Sequence, residues 1–247
     1  MSALPLLSPR HIGFPHPETA LQDPNGLLAA GGDLSPEWLL TAYAAGIFPW
    51  FNDDADAILW WSPDPRAVLW LDALKVSRSL AKRLRNGGFR VTADCAFAAV
   101  VDGCRAPRAT TDETWITPRM RQGYLALHDL GYAHSLEVWR DDELVGGLYG
   151  MSLGRMFFGE SMFSLERDAS KVAFCHLVAQ LQRWGFNLID CQIMNAHLHS
   201  LGAIEIPRRE FLGLLTENNR FPTRQGVWVL DPDLPGAVAG GHGTSGA

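Results

Sequence analysis

Residues 133–164 read AHSLEVWRDDELVGGLYGMSLGRMFFGESMFS, and this stretch decides the fold. SLEVW (135–139) alternates, RDDE (140–143) turns, ELVGGLYG (143–150) is a second extended run, and SLGR (152–155) turns again. That pattern predicts three antiparallel strands. The third strand poses a chemical question. Glu160 sits among Phe157, Phe158, Phe163, Met156 and Met162, where an unpaired carboxylate costs on the order of several kcal/mol. By simple alternation Phe157, Gly159, Ser161 and Phe163 face one way, and Phe158, Glu160, Met162 and Ser164 the other. Glu160 is either on a wet face or in use.

Working outward, DASKVAFCHLVAQLQRWG (168–185) repeats apolar residues at helical spacing. NLIDCQIM (187–194) reads as a strand, NAHLHSLGA (195–203) as a short helix, and AIEIPRREF (203–211) as a strand entering a helix. Upstream, RAVLWLDAL (66–74) and FRVTADC (89–95) read as strands, and KVSRSLAKRLRNGG (75–88) and AFAAVVDGC (96–104) as helices. TPRMRQGYLALHDLG (117–131) is a helix with Thr117 as cap and Gly131 as stop. The first 64 residues are rich in Pro and Gly, and their clear helix is SPEWLLTAYAAG (35–46), with Ser35 as N-cap and Pro36 at the first helical position. The expected organisation is therefore a small N-terminal domain (1–64), a larger domain (65–232) and a Gly/Ala-rich disordered tail (233–247).

Bulk properties narrow the class. The chain has 247 residues, 47% hydrophobic and 19% charged, a globular composition. It contains no run of 18 apolar residues, so no membrane span is expected. MSALPLLSPRHIGF at the start lacks a charged segment followed by an apolar core, so no signal peptide is expected. Cys95, Cys104, Cys175 and Cys191 show no CxxC spacing, which predicts reduced thiols, no metal site and a cytoplasmic location. Net charge is −6, yet residues 75–121 carry ten Lys/Arg against four Asp/Glu. An acidic protein with one basic segment suggests a localised anion-binding face; a solvated helix explains the charge alone equally well.

The order of elements predicts an α+β fold with a central mixed, largely antiparallel sheet. It suits the acetyltransferase-like (N-acyltransferase) fold of acetyl-CoA-dependent enzymes. Those enzymes hold the CoA pyrophosphate on a Gly-rich loop at the start of the long helix. Here that junction reads SLERDASK (164–171), without glycine and with Glu166 and Asp168, which would repel a pyrophosphate. The usual acyl donor does not fit.

PNGLLAAGGDLSPEWLLTAYAAGIFPWF (24–51), WWSPDPRAVL (60–69), TWIT (114–117), HSLEVW, ELVGGLYG, FFGESMFS and LIDCQIMNAHLHSLGA (188–203) closely resemble the bacterial leucyl/phenylalanyl-tRNA–protein transferases, across roughly residues 10–230. The resemblance implies that the chain takes leucine or phenylalanine, and less well methionine, from aminoacyl-tRNA. The acceptor would be the α-amine of proteins beginning with Arg or Lys, which are thereby marked for degradation. It also implies no metal, ATP or CoA, and a small N-terminal domain before an acetyltransferase-like one.

Candidate residues follow. Lys75, Arg78, Lys82, Arg83 and Arg85 lie within three turns of one expected helix, with Lys75, Arg78, Lys82 and Arg85 on a stripe that can meet phosphates without reading bases. By resemblance, Trp50 and Trp115 hold the terminal adenosine, a role suited to aromatic stacking; Trp60 and Trp61 are read as packing. Tyr43 and Tyr124 are candidates for the same cleft. Leu148, Phe157, Met162, Ile189, Phe174 and Leu177 match the family's apolar aminoacyl pocket, and Ser164 joins this set. Plain core packing is the alternative for the whole set, and weighs most for Phe174 and Leu177 on their amphipathic helix.

A partly buried Glu160 at the pocket mouth would suit a substrate that is cationic at both its α-amine and its side chain. Because Phe157 falls on the opposite face from Met162, either a bulge near Gly159 or a less simple pocket is expected. Asp190, Gln192 and Asn195 belong to the active site by resemblance. Asp190 and Gln192 lie two apart on a strand and so share a face. Asp190 either takes the amine proton or orients Gln192; a carboxyl of ordinary pKa near 4 favours orientation. His134, His197, His199 and the cysteines are read as structural. The rival readings are a CoA-dependent acyltransferase, a peptidoglycan-building aminoacyl-tRNA transferase and a non-catalytic RNA-binding module.

Overall fold

The computed structural model describes residues 4–106, 114–234 and 238. The N-terminal part holds β1 (Leu6–Leu7), β2 (Leu27–Gly31), α1 (Pro36–Ala44), β3 (Phe48–Pro49) and β4 (Leu59–Trp61). Its strands form one sheet in the order β1-β2-β4-β3. Sequence periodicity exposes only α1 here, because strands of two to five residues are too short to show alternation. Pro36 opens α1 from the extended Ser35, and Gly46, at φ +75°, turns the chain out of it.

The second sheet begins at residue 66. In chain order its part of the molecule contains β5 (Arg66–Trp70), α2 (Arg78–Asn86), β6 (Arg90–Ala93), α3 (Phe97–Arg105), α4 (Pro118–Asp129), β7 (Ala133–Arg140), β8 (Glu143–Leu153) and β9 (Met156–Ser164). Then follow α5 (Ala169–Arg183), β10 (Leu188–Gln192), α6 (Ala196–Leu201), β11 (Ile204–Ile206) and α7 (Arg208–Asn218). Strand order is β11-β5-β10-β9-β8-β7-β6. The three-strand meander expected from 133–164 is present as β7, β8 and β9. Every neighbouring pair is antiparallel except β9 with β10, so the fold is α+β with mixed sheets.

Alternation assigns the faces. Leu148, Phe157, Leu69 and Ile189 pack with Val172, Phe174 and Leu177 of α5 and Leu80 of α2. Their sequence neighbours Tyr149, Phe158, Val68 and Leu188 pack on the other side, against α1, α3, α4 and α7. The same second cluster includes Leu28, Phe48 and Trp60 of the first sheet. The two sheets therefore share one core, to which each fully buried large side chain contributes about 1.5–3 kcal/mol.

Two expectations are corrected. The basic helix α2 starts at Arg78, where the Ser77 hydroxyl accepts from Leu80 N. Lys75 thus lies ahead of the helix and is not on its stripe; its N–H is spent on Leu201 O. Arg78, Lys82 and Arg85 are exposed, whereas Arg83 is half-buried with its guanidinium 5.7 Å from the Phe89 ring centroid. At the other end, part of the expected tail is packed. Asp233 pairs with Arg183, and Leu234 and Val238 are buried in the α5-side core; the other residues beyond Leu234 lie outside the described residues. No described helix is long and apolar enough to cross a membrane.

Candidate active site

The ladder between β8 and β9 slips by one residue. Tyr149 pairs with Ser161 and Gly150 with Gly159, leaving Glu160 without a partner strand residue. This bulge corrects the face expected from strict alternation. The extra residue puts Phe157 and Met162 on the same side, toward α5, and sends Glu160 toward α1 and α4.

There two buried phenols meet the carboxylate. Tyr43 Oη donates to Glu160 Oε1 at 2.6 Å, Tyr124 Oη to Oε2 at 2.7 Å, and the two phenol oxygens are 2.7 Å apart. Gln192 Nε2 stands 3.4 Å from Oε1. Burial raises the Glu160 pKa to about 7; the phenol hydrogen bonds and the Arg66 charge oppose that rise, and the Asp190 charge adds to it. The phenol pKa values are themselves pushed up by burial and by Glu160.

β10 also breaks its regularity here. It pairs with β9 over three residues, from Leu188 opposite Met156 to Asp190 opposite Phe158, while β9 continues to Ser164. Beyond that point the strands part, and Gln192 adopts φ +56° at a register shift against β5. Asp190 and Gln192 therefore do not share a face. Asp190 is fully buried and is gripped by Arg66, with Nε to Oδ1 at 2.8 Å and Nη2 to Oδ2 at 2.6 Å. It reaches Gln192 through the backbone, accepting from Gln192 N at 3.0 Å. Asn195 Oδ1 caps α6 by accepting from Leu198 N. Arg66 is the site residue that sequence reasoning missed. Its signal was one of only two basic residues in the first 74, placed at the head of an apolar strand, where a guanidinium demands a buried carboxylate.

A cleft of about 1100 Å³ opens between the parted strands. Its apolar wall is built from Leu148, Phe157, Met162, Phe174, Leu177 and Ile189, and Trp50, Trp115, Glu160, Ser164, Gln192 and Asn195 also line it. Tyr43, Tyr124 and Asp190 do not reach its surface; they support Glu160 and Gln192 from behind. Trp50 is 40% exposed. Its carbonyl accepts from Trp61 Nε1 at 2.8 Å, and the two rings lie 5.6 Å apart. Trp61 is thus a brace for Trp50, while Trp60 is buried against Trp38 and Phe14. Ser164 Oγ donates to Ser170 Oγ and accepts from Ser170 N.

Among the histidines, His134 is buried, stacked on Trp228 and bonded to Asp94. His197 instead lines the cleft. Its Nε2 has no hydrogen-bond partner among the described residues, and burial, helped by the Lys171 charge, lowers its pKa. Burial raises the Cys175 thiol to about 12 and the Cys191 thiol further, so neither is a ready nucleophile. At the junction before α5, Glu166 is held by Arg140 at 2.8 Å, and Asp168 occupies the N-cap at φ +66° without a capping bond. No group of three His, Cys, Asp or Glu among the described residues could hold a metal ion. The arrangement offers an apolar slot for a bulky side chain, the exposed indole of Trp50 and the half-buried one of Trp115, and a carboxylate titrating near neutrality beside an amide donor.

A family model described as leucyl/phenylalanyl-tRNA protein transferase matches residues 68–216, and one described as the N-terminal domain of that transferase matches residues 32–64. A Nitrosospira multiformis protein named leucyl/phenylalanyl-tRNA–protein transferase is 59% identical over 218 residues, covering 88% of this chain and 94% of the relative. A protein of the same name from Aromatoleum aromaticum is 60% identical over 210 residues, covering 85% and 88%. Among solved structures, a functionally unknown conserved protein from Staphylococcus epidermidis aligns over 73% of this chain and 68% of its own, with 11% identity and a TM-score of 0.39.

Proposed function

Given that the chain belongs to the leucyl/phenylalanyl-tRNA–protein transferase family and is an aminoacyltransferase, we propose that it moves leucine or phenylalanine, and less well methionine, from charged tRNA to the α-amine of proteins beginning with Arg or Lys. The transfer marks those proteins for degradation and takes place in the cytoplasm. Residues 1–64 and 65–232 act as two domains, the second acetyltransferase-like. The reading is carried by one observation: a carboxylate with a pKa of about 7 sits at the edge of an apolar slot.

The donor's side chain enters the slot formed by Leu148, Phe157, Met162, Phe174, Leu177 and Ile189. An unbranched methionine in that wall adapts to several shapes, and discrimination between similar apolar side chains is worth about 1–3 kcal/mol. The terminal adenosine stacks on Trp50 and Trp115. The exposed row Arg78, Lys82 and Arg85 tracks tRNA phosphates.

The acceptor's ammonium pairs with Glu160. An α-amine has a pKa of about 7.7–8.0, only about one unit above that of Glu160. Burial, which raises the Glu160 carboxyl above the ordinary carboxylate range, makes it a better acceptor for that proton than an exposed carboxylate. The freed nitrogen lone pair attacks the ester carbonyl, forming the peptide bond. The carbon–oxygen bond to the ribose breaks, the attacking nitrogen sheds its second proton, and the leaving ribose oxygen takes up one proton in its place, so the tRNA departs with its hydroxyl restored while Glu160 returns the first proton to solvent. Gln192, beside Glu160, holds the amine or the developing oxyanion in line. Asp190, with both oxygens committed to Arg66, sets the place of Gln192 and does not carry protons.

The test mixes labelled Leu-tRNA with a peptide beginning Arg, without ATP. Label in the peptide supports the proposal. Absence of transfer, or transfer from acyl-CoA after RNase treatment, rejects it.

A further inference from the structure

We propose that Arg66 is a positioning residue that joins the donor-side segment Gly46–Trp50 and the bend at Gln192 into one mechanical unit. The inference rests on the reading of the cleft given above. Arg66 is fully buried, so its charge does no work toward solvent. Its fork is fully directed: Nε and Nη2 donate to the two Asp190 oxygens, and Nη1 donates to Gly46 O at 3.1 Å. The guanidinium carbon lies over two rings, 4.9 Å from the Phe48 centroid and 4.6 Å from that of Phe211.

Each partner leads into the cleft. Gly46 and Phe48 belong to the segment that ends in Trp50, and Phe48, Pro49 and Trp50 all line the cleft. Asp190 Oδ1 accepts twice, from Arg66 Nε and from Gln192 N. The second bond supports a left-handed φ of +56° at Gln192, a conformation a non-glycine residue keeps only when its surroundings impose it. That bend carries the Gln192 amide to within 3.4 Å of Glu160. One guanidinium thus fixes the indole that would receive adenine relative to the amide that would face the reacting amine. A lysine does not reproduce this, because its compact ammonium lacks the rigid planar fork that meets both carboxylate oxygens side by side while a third nitrogen reaches the carbonyl.

The experiment compares Arg66→Lys with the double variant Arg66→Met/Asp190→Leu and with Leu181→Ala, a core truncation on α5 away from the cleft. Arg66→Lys is expected to fold, to lose at least 10-fold in kcat, and to raise the KM for an aminoacyl-adenosine donor at least threefold. Amides of residues 47–50 and 191–193 should exchange with solvent at least 10-fold faster, the rest of the sheet being unchanged. The double variant removes both buried charges, so its melting temperature is expected to recover while kcat stays low. Leu181→Ala, of comparable destabilisation, should keep its kcat. Hydrogen exchange is read on unliganded protein, so a wild type that failed to transfer would reject the proposed function and leave this readout to decide. A folded Arg66→Lys variant with kcat and KM within twofold of wild type, or with unchanged exchange in both segments, overturns the proposal. A double variant that regains full activity overturns it too; should that variant not fold, Arg66→Lys alone decides.

Discussion

The Tyr43 hydroxyl donates to Glu160 at 2.6 Å across 117 positions of sequence, and Tyr124 mirrors it on the second carboxylate oxygen. Both bonds favour the ionised carboxylate and hold its pKa below what burial alone would give. Tyr43→Phe should therefore move the acidic limb of the kcat/KM–pH profile upward, and Tyr43→Phe/Tyr124→Phe should move it further. A limb that stays in place would show that Glu160 does not titrate in the reaction.

Glu160→Gln should lower kcat/KM for an Arg-starting peptide by about 100- to 10,000-fold, the range for a lost proton acceptor. It should also narrow the preference over a neutral-starting peptide. Stability should move the other way. The folded pKa of about 7 lies above the usual carboxylate value, so the folded protein binds this proton more tightly than the unfolded chain. Wild-type stability from this group is present below about pH 4.5 and lost as pH rises to about 7. Glu160→Gln should thus melt above wild type at pH 8 and lose that advantage at pH 4.5, as read by calorimetry.

Asp190→Asn should leave the acidic limb of the pH profile where it is if, as proposed, Asp190 serves as the ion-pair partner of Arg66 and Glu160 as the base. It should cost about 3–5 kcal/mol of stability, the usual result of stranding one member of a buried pair. Loss of the acidic limb in a folded variant would restore Asp190 as a proton acceptor.

Arg78→Glu/Lys82→Glu/Arg85→Glu should weaken tRNA binding and reduce the slope of log K against log salt, by about one for each lost phosphate contact. Transfer from an aminoacyl-adenosine should be unaffected. Equal binding across a salt series would make the row an ordinary solvated surface.

Trp50→Ala should raise the donor KM by about 5- to 150-fold, matching about 1–3 kcal/mol for a stacked base. At 40% exposure its removal should change the melting temperature little, which separates stacking from packing.

The second sheet and its helices were legible because their signals are long. The meander, α5 and the capped α4 each span enough residues for a period to appear, and Thr117 does cap α4 through Met120 N. The short strands of residues 6–61 had no such span. Within the cleft, the apolar wall could be aligned residue by residue, and the mismatch between Phe157 and Met162 pointed to either a bulge near Gly159 or a less simple pocket, of which the bulge is what forms. What sequence could not supply was the identity of the bulged residue or the second bend at Gln192. Both depend on ladder register with distant strands. For the same reason the Tyr43 and Tyr124 hydroxyls were placed on the cleft wall, whereas they lie behind Glu160. Arg66 escaped notice because its partner is 124 positions away.

That separation bears on synthesis. β5 lies between β10 and β11, so a strand made early has no neighbour on either edge until residues 188–206 exist. At about 5–20 residues per second on the ribosome, Arg66 waits on the order of 6–25 s for Asp190 to be made. During that interval an apolar strand headed by an unpaired cation is open to chaperones and to wrong partners. A nascent chain halted before residue 188 can complete neither the sheet nor the cleft, and the last elements translated decide whether the first ones were worth keeping.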